Sequence, residues 1–89
     1  MKRPRNIVGP RIRALRQERG WSQAGLAAKC QLIGWDISRD VIAGIELRRR
    51  WVADAELLIL AKVLATSVAG LYPARTPMSE VIRLLSWQA

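Results

Sequence analysis

The chain has 89 residues, a formal net charge of +8 at pH 7 and a sequence pI of about 11.3. This length provides one small hydrophobic core and is too short for a second domain. Cys30 is the only cysteine and histidine is absent, which excludes a disulfide framework and makes a zinc site or a Cys/His or Ser/His/Asp catalytic site implausible. The positive charge favours a polyanionic partner, most commonly nucleic acid, although a merely soluble basic protein is the alternative.

Other features of the chain argue against a membrane protein and a reactive thiol. No apolar run approaches the roughly 20 residues that a spanning helix needs, and the basic start is not followed by a signal-peptide core. We therefore expect a cytoplasmic protein. Cys30 lies four residues after Leu26 on one predicted helical face, so we expect a small buried side chain there.

Two helices are predicted in the first third of the chain. Pro10 suits a first helical turn and Gly20 suits a helix end, which predicts a helix over about residues 10–19. Ser22 is a typical N-cap for a second helix, whose buried face carries Leu26, Ala27 and Cys30. Leu32 and Ile33 prolong this helix until Gly34 ends it.

A third helix is predicted to begin at Ser38. Ile37 and Ile42 have the spacing of a hydrophobic staple around this N-cap, and Asp40 lies where its charge favours the helix dipole. Because Ile42 and Ile45 must face inward, the pattern directs four residues outward at the start of this helix: Arg39, Asp40, Val41 and Gly44.

The rest of the chain predicts three more elements. Asp54 caps a fourth helix, and Ser67 begins a short fifth one. Residues 73–77 form a stiff linker, and Ser79 caps a last apolar segment. This tail packs back on the domain, forms a dimer contact or binds a partner protein.

Several of these elements together resemble the phage-repressor and Cro (XRE) family of helix-turn-helix regulators. The matching residues are Leu15-Arg16, Gly20-Trp21-Ser22-Gln23, Leu26-Ala27, Ser38, Ile42 and Glu46. The resemblance implies an all-α fold, a five-helix lambda-repressor-like domain with an extra C-terminal helix. We expect a basic N-terminal arm at 1–9, the DNA-binding domain at 10–73, and a linker with the C-terminal helix at 74–89.

The resemblance also implies which residues meet DNA. In this family the start of the third helix reads base edges in the major groove, and Arg39 has the chemistry to pair with guanine. Asp40 either accepts a hydrogen bond from cytosine N4, or only stabilises the helix dipole or pairs with Arg39. Val41 suits contact with a thymine methyl group. Gly44 is the fourth position expected at the base-reading surface, although it brings no side chain to read with. Its cost of about 0.5 to 1 kcal/mol relative to alanine suggests a close approach of DNA or another helix there.

Phosphate contacts are expected from a second group of residues. The starts of the second and third helices supply hydroxyl, amide and backbone donors, and an arginine run follows the third helix. These candidates are Ser22, Gln23, Ser38, Arg48, Arg49 and Arg50. A basic arm of Lys2, Arg3 and Arg5 either enters the minor groove or is a disordered terminus.

Some further residues match the family in a structural role, and others depart from the family's pattern. The family pairs Arg16 with Glu46 in a buried ion pair between the first and third helices. The connection between the second and third helices is about five residues longer than the family's usual turn, and Trp35 there packs over the core or faces the DNA. Arg48 stands where the family has glycine.

The resulting hypothesis is a sequence-preferring transcriptional regulator that binds double-stranded DNA as a homodimer, without enzymatic activity, metal or cofactor. The pattern supports no small-molecule ligand. The alternative is a protein-interaction module of antitoxin or bridging type in which DNA binding is secondary or lost.

Overall fold

The computed structural model describes residues 3–86. Within this range there are five α-helices, one 3-10 turn and no strand, so the all-α prediction is confirmed. The helices are α1 (Gly9–Glu18), α2 (Gln23–Ile33), α3 (Arg39–Glu46), α4 (Asp54–Val63) and α5 (Met78–Leu85), and the 3-10 turn is Ala69–Leu71. None of these helices combines the length and the apolar character that crossing a membrane requires.

The ends of α2 and α3 follow from local hydrogen bonding. Ser22 Oγ accepts from the Gly25 N–H at 2.9 Å, and Ser38 Oγ accepts from the Val41 N–H at 3.3 Å. Each serine thus satisfies an N–H that a helix start leaves unpaired. Gly34 ends α2 with a φ of 105°, in the left-handed region that glycine tolerates best.

One hydrophobic core lies among α1 to α4. α3 packs against both α1 and α2, and α4 packs against α2. Cys30 is fully buried, as predicted, and burial raises the pKa of its thiol. The other core residues are Val8, Ile12, Leu15, Leu26, Ala27, Ile37, Ile42, Ile45, Leu60, Ala61, Leu64 and Leu71.

Two predicted caps and one predicted helix differ in the structure. Ala53 takes the N-cap position of α4, so Asp54 is its first helical residue. α5 likewise begins at Met78, one residue before the predicted cap Ser79. Pro77, whose φ is fixed by its ring, takes the N-cap position instead. After Ser67 the chain forms only the 3-10 turn, since glycine within it and proline beyond it disfavour a longer helix.

The N-terminal segment is attached to the domain rather than separate from it. Asn6 and Val8 are buried, and the Arg5 N–H donates to the Arg48 carbonyl oxygen at 2.9 Å. Asn6 also caps the start of α1, where its Oδ1 accepts from the Gly9 N–H at 2.8 Å. The expected boundary at residue 9 therefore falls inside a packed segment, because Val8 belongs to the same core as the helices and buried Asn6 is hydrogen-bonded to the start of α1.

α5 packs on the domain through only part of its apolar surface. Leu84 is buried in a cleft that it shares with Trp51, Leu57 and Tyr72. Met78, Ile82 and Leu85, at positions i, i+4 and i+7, remain exposed. Packing back on the domain is thus one role of this helix, and its second apolar side faces solvent.

Candidate nucleic-acid interface

The start of α3 presents two charged side chains to solvent. The side chains of Arg39 and Asp40 are 67% and 87% exposed, and Arg39 Nη2 lies 3.5 Å from Asp40 Oδ1. An ion pair this long and this exposed is weak, so it does not hold Arg39 away from a ligand. The structure therefore places both predicted base-reading side chains at an open, capped helix start.

The other two predicted base-reading residues are less exposed. Val41 is half-buried and packs against the hydrophobic core, which leaves only part of its side chain for a thymine methyl. Gly44 is half-buried, and a Cβ built there would meet only Arg50 Cδ, at 3.9 Å. No packing within the described part of the chain therefore demands glycine at position 44.

The inner side of α3 is tied to α1 by a buried ion pair. Arg16 Nε and Nη2 donate to Glu46 Oε2 and Oε1 at 2.7 and 3.0 Å, and the side chains are 10% and 1% exposed. Arg16 Nη1 also donates to the Trp21 carbonyl oxygen at 2.7 Å. Hydrogen bonding to Glu46 raises the pKa of Arg16, against the opposing effect of burial. This pair fixes α3 on α1 and so orients the exposed side of α3.

The start of α2 is linked to the same ion pair. Gln23 Nε2 donates to Glu46 Oε1 at 3.0 Å, so one of its two amide hydrogens is already used. The second hydrogen of that amide and the hydroxyl hydrogen of exposed Ser22 are left for a phosphate oxygen. Gln23 therefore connects the expected phosphate site to the buried carboxylate beneath α3.

The arginine run after α3 does not form one patch. Arg48 has a φ of 61°, in the position where the family has glycine, and its Nε donates to the Asn6 carbonyl oxygen at 2.8 Å. It therefore points toward the N-terminal segment and lines a cleft with Arg3 and Arg83. Of the three arginines, only Arg49 is exposed and has a guanidinium group that makes no hydrogen bond or ion pair with the described residues.

Arg50 is held by a carboxylate on α4. Its Nη1 and Nη2 donate to Glu56 Oε1 and Oε2 at 3.2 and 3.0 Å. Glu56 Oε1 also accepts from the Ala53 N–H at 2.9 Å, which helps to begin α4. Burial acts to raise the pKa of Glu56, but the hydrogen bonds from Arg50 and Ala53 outweigh it, so this pKa lies below its ordinary value of 4.5.

The enlarged turn between α2 and α3 is ordered by its own contacts. Gln31 Nε2 donates to the Ile37 carbonyl oxygen at 2.7 Å, and the Trp35 N–H donates to the Cys30 carbonyl oxygen at 3.1 Å. Trp35 is half-buried and packs against the core. It also borders an open cleft of about 480 Å³ that reaches Ser38 and Val41. Trp35 thus packs on the core and also lies beside the start of α3.

The basic arm is only partly described. Lys2 lies outside the described residues. Arg3 is exposed and its Nη1 donates to the Ser86 carbonyl oxygen, while the Arg5 side chain is exposed. The described arm residues thus contact α5 and the end of α3.

The sequence pattern did not identify Asn6 and Glu56 as residues that hold this surface in place. Asn6 Nδ2 donates to the carbonyl oxygens of Ile45 and Arg50 at 3.1 and 2.9 Å, so it fixes the exit of α3. A cap signal was available for Asn6, because it lies three residues before Gly9. Glu56 was available as the acidic residue in the first turn of a helix that follows an arginine run.

Comparison with known proteins agrees with this geometry. The helix-turn-helix family HTH_3 matches residues 12–71. The restriction-modification controller protein C.AhdI from Aeromonas hydrophila is 31% identical, with a TM-score of 0.64 over 73% of this chain and 87% of that one. NHTF, a hypothetical transcription factor from Neisseria, is 24% identical, with a TM-score of 0.66 over 94% and 93% of the two chains, a likeness that concerns the fold alone. No curated protein matches this chain. The chain belongs to the phage-repressor and Cro-like helix-turn-helix family, whose members are DNA-binding transcriptional regulators.

Proposed function

We propose that this protein binds a two-fold symmetric DNA site as a homodimer and regulates transcription there, without catalysing a reaction. α3 enters the major groove, and Arg39 pairs with guanine O6 and N7. The observation that carries the proposal is the exposed start of α3, where Arg39 and Asp40 project from a capped helix whose opposite side is fixed by the Arg16–Glu46 pair. A fixed reverse side supplies the rigid support that base reading needs.

Phosphate contacts come from a narrower set of residues than the sequence pattern suggests. Ser22, the free amide hydrogen of Gln23 and the Ser38 hydroxyl lie at the two helix starts, and Arg49 supplies an exposed charge after α3. Arg50 contributes less because Glu56 neutralises it. The proposed binding surface is therefore centred on the starts of α2 and α3.

The homodimer is supported by the apolar side of α5 that faces solvent. Met78, Ile82 and Leu85 expose three large apolar side chains on one helical face, which is the kind of surface that a second copy covers. Two α3 helices related by a two-fold axis would meet successive major grooves about 34 Å apart. Sedimentation equilibrium of the free protein gives the assembly state directly.

The salt dependence of binding distinguishes DNA binding from the alternative function, a module that binds a partner protein. We would titrate a labelled duplex by fluorescence anisotropy between low and physiological salt. Arg49 alone would neutralise one phosphate in each protomer, and Arg39 and the partly neutralised Arg50 set an upper limit of about three, so log K should fall against log salt with a slope between about −2 and about −5. We expect Arg49→Gln to make this slope shallower by about 1 for each protomer, whereas Arg75→Gln, an exposed arginine after the 3-10 turn, leaves it unchanged. A wild-type slope near zero contradicts DNA binding through this surface.

A further inference from the structure

A second concentration of arginines lies away from the start of α3. Arg3, Arg48 and Arg83 line a cleft of about 250 Å³ together with Pro4, Glu80 and Leu84. The cleft is formed by the N-terminal segment, the residue after α3 and one side of α5. Three guanidinium groups and one carboxylate give its walls a net positive charge.

Arg48 is held in place by the backbone of the N-terminal segment. Its Nε donates to the Asn6 carbonyl oxygen at 2.8 Å, and its own carbonyl oxygen accepts from the Arg5 N–H at 2.9 Å. Its φ of 61° is that of the left-handed residue that commonly follows a helix end, so the backbone at the end of α3 also fixes the direction of this side chain. The anchored Nε leaves the two terminal nitrogens of the guanidinium for a ligand.

The described charged side chains that line the cleft form no ion pair with one another. None of the ion pairs within residues 3–86 involves Glu80 or Arg83, although both line the cleft with Arg3 and Arg48. The carboxylate is thus more than 4.0 Å from the guanidinium nitrogens, and the space between them is open. Guanidinium groups that line one cleft and are not ion-paired suit oxyanions, since their N–H groups match two oxygens at once.

We propose that this cleft binds a small anion that carries a phosphate or pyrophosphate group. The site is separate from the proposed DNA-binding surface. Arg48 and Arg83 bind the oxyanion, and Arg3 closes the site from the N-terminal segment. Glu80 opposes the binding of highly charged anions, because it adds a negative charge to the wall of the site. A cleft of about 250 Å³ has room for a phosphate or pyrophosphate group.

The test uses pyrophosphate as the probe, with total ionic strength held constant by sodium chloride. Amide chemical shifts in ¹H–¹⁵N spectra report both the affinity and the location of binding. We expect saturable shifts confined to residues 3, 5, 6, 48 and 80–84. Arg83→Gln should weaken binding about 10-fold, since it removes a charge-assisted hydrogen bond, and Glu80→Gln should strengthen it.

Two matched variants separate a site from general attraction to a basic protein. Arg13→Gln on α1 and Glu18→Gln at its end make the same charge changes at exposed positions away from the cleft, and should change pyrophosphate affinity less than about 2-fold. Shifts scattered over the arginines of the whole surface, or equal binding by Arg83→Gln and wild type, would overturn the proposal. DNA affinity measured without pyrophosphate should be the same in Arg83→Gln as in wild type, so the outcome is independent of the proposed DNA-binding function.

Discussion

The buried ion pair beneath α3 gives the sharpest stability prediction. Glu46→Gln keeps the shape of the side chain and removes its charge. Glu46 accepts three hydrogen bonds, two from Arg16 and one from Gln23, and its side chain is 1% exposed. The substitution leaves the Arg16 guanidinium, 10% exposed, without its carboxylate.

The expected loss is large compared with the stability of a small domain. Removing one partner of a buried ion pair costs about 3 to 5 kcal/mol, against a total stability of about 5 to 15 kcal/mol. We expect the lower end of the range, because the amide that replaces the carboxylate still accepts one hydrogen bond from Arg16. A loss of about 3 kcal/mol lowers Tm by about 12 °C or more in a domain of roughly 60–100 residues.

The assay is thermal and urea unfolding followed by far-UV circular dichroism, with Glu18→Gln as the control. Glu18 lies 3.8 Å from Arg11 in an exposed pair, with its side chain 62% exposed, so the same substitution there should change stability by less than about 0.5 kcal/mol. If the free energy of unfolding of Glu46→Gln is within about 1 kcal/mol of the wild-type value, the pair does not have the structural role assigned to it. The rigid support of α3 then has another origin.

Three further substitutions or modifications test other parts of the structure. Gly44→Ala should stabilise the fold by about 0.5 to 1 kcal/mol in urea, because a methyl group there meets only Arg50 Cδ at 3.9 Å, and a destabilised variant would contradict this. Cys30 should resist a thiol reagent in the native state and react once the chain is unfolded in urea, since it is fully buried; rapid native modification would disprove its place in the core. Because the pKa of Glu56 is lower in the folded protein, its contribution to stability is present above pH 4.5 and is lost as pH falls through the folded value. Glu56→Gln should therefore show a smaller decrease in urea midpoint between about pH 5 and pH 3 than wild type, with Glu80→Gln as the control, and equal slopes would refute it.

Features set by neighbouring residues in the chain were predictable from the sequence. Ser22, Ser38 and Gly34 fix helix ends through hydrogen bonds and backbone angles within a few residues, and their roles in the structure match the local pattern. The apolar spacing of Ile42 and Ile45 predicted the buried side of α3 in the same way. These features need no knowledge of what packs against the helix.

Features set by contacts between different elements of the fold were not predictable in this way. Arg48, Arg49 and Arg50 read as one basic patch, but Arg48 is bound by Asn6, 42 positions away, and Arg50 by Glu56 on α4. The direction of each guanidinium depends on these tertiary partners, which charge counting does not contain. Asn6 was overlooked for a related reason: it follows basic residues that suggested a separate arm, whereas its side chain joins the start of α1 to the end of α3.

Selection of bound duplexes from a random pool tests whether α3 reads bases in two half-sites. The selection is run at near-physiological salt with wild type and Arg39→Ala, and the survivors are sequenced. We predict an inverted repeat with half-sites one helical turn apart for wild type, with the guanine position blurred by Arg39→Ala. Survivors without enriched sequence, or a motif that Arg39→Ala leaves unchanged, would contradict base reading by α3.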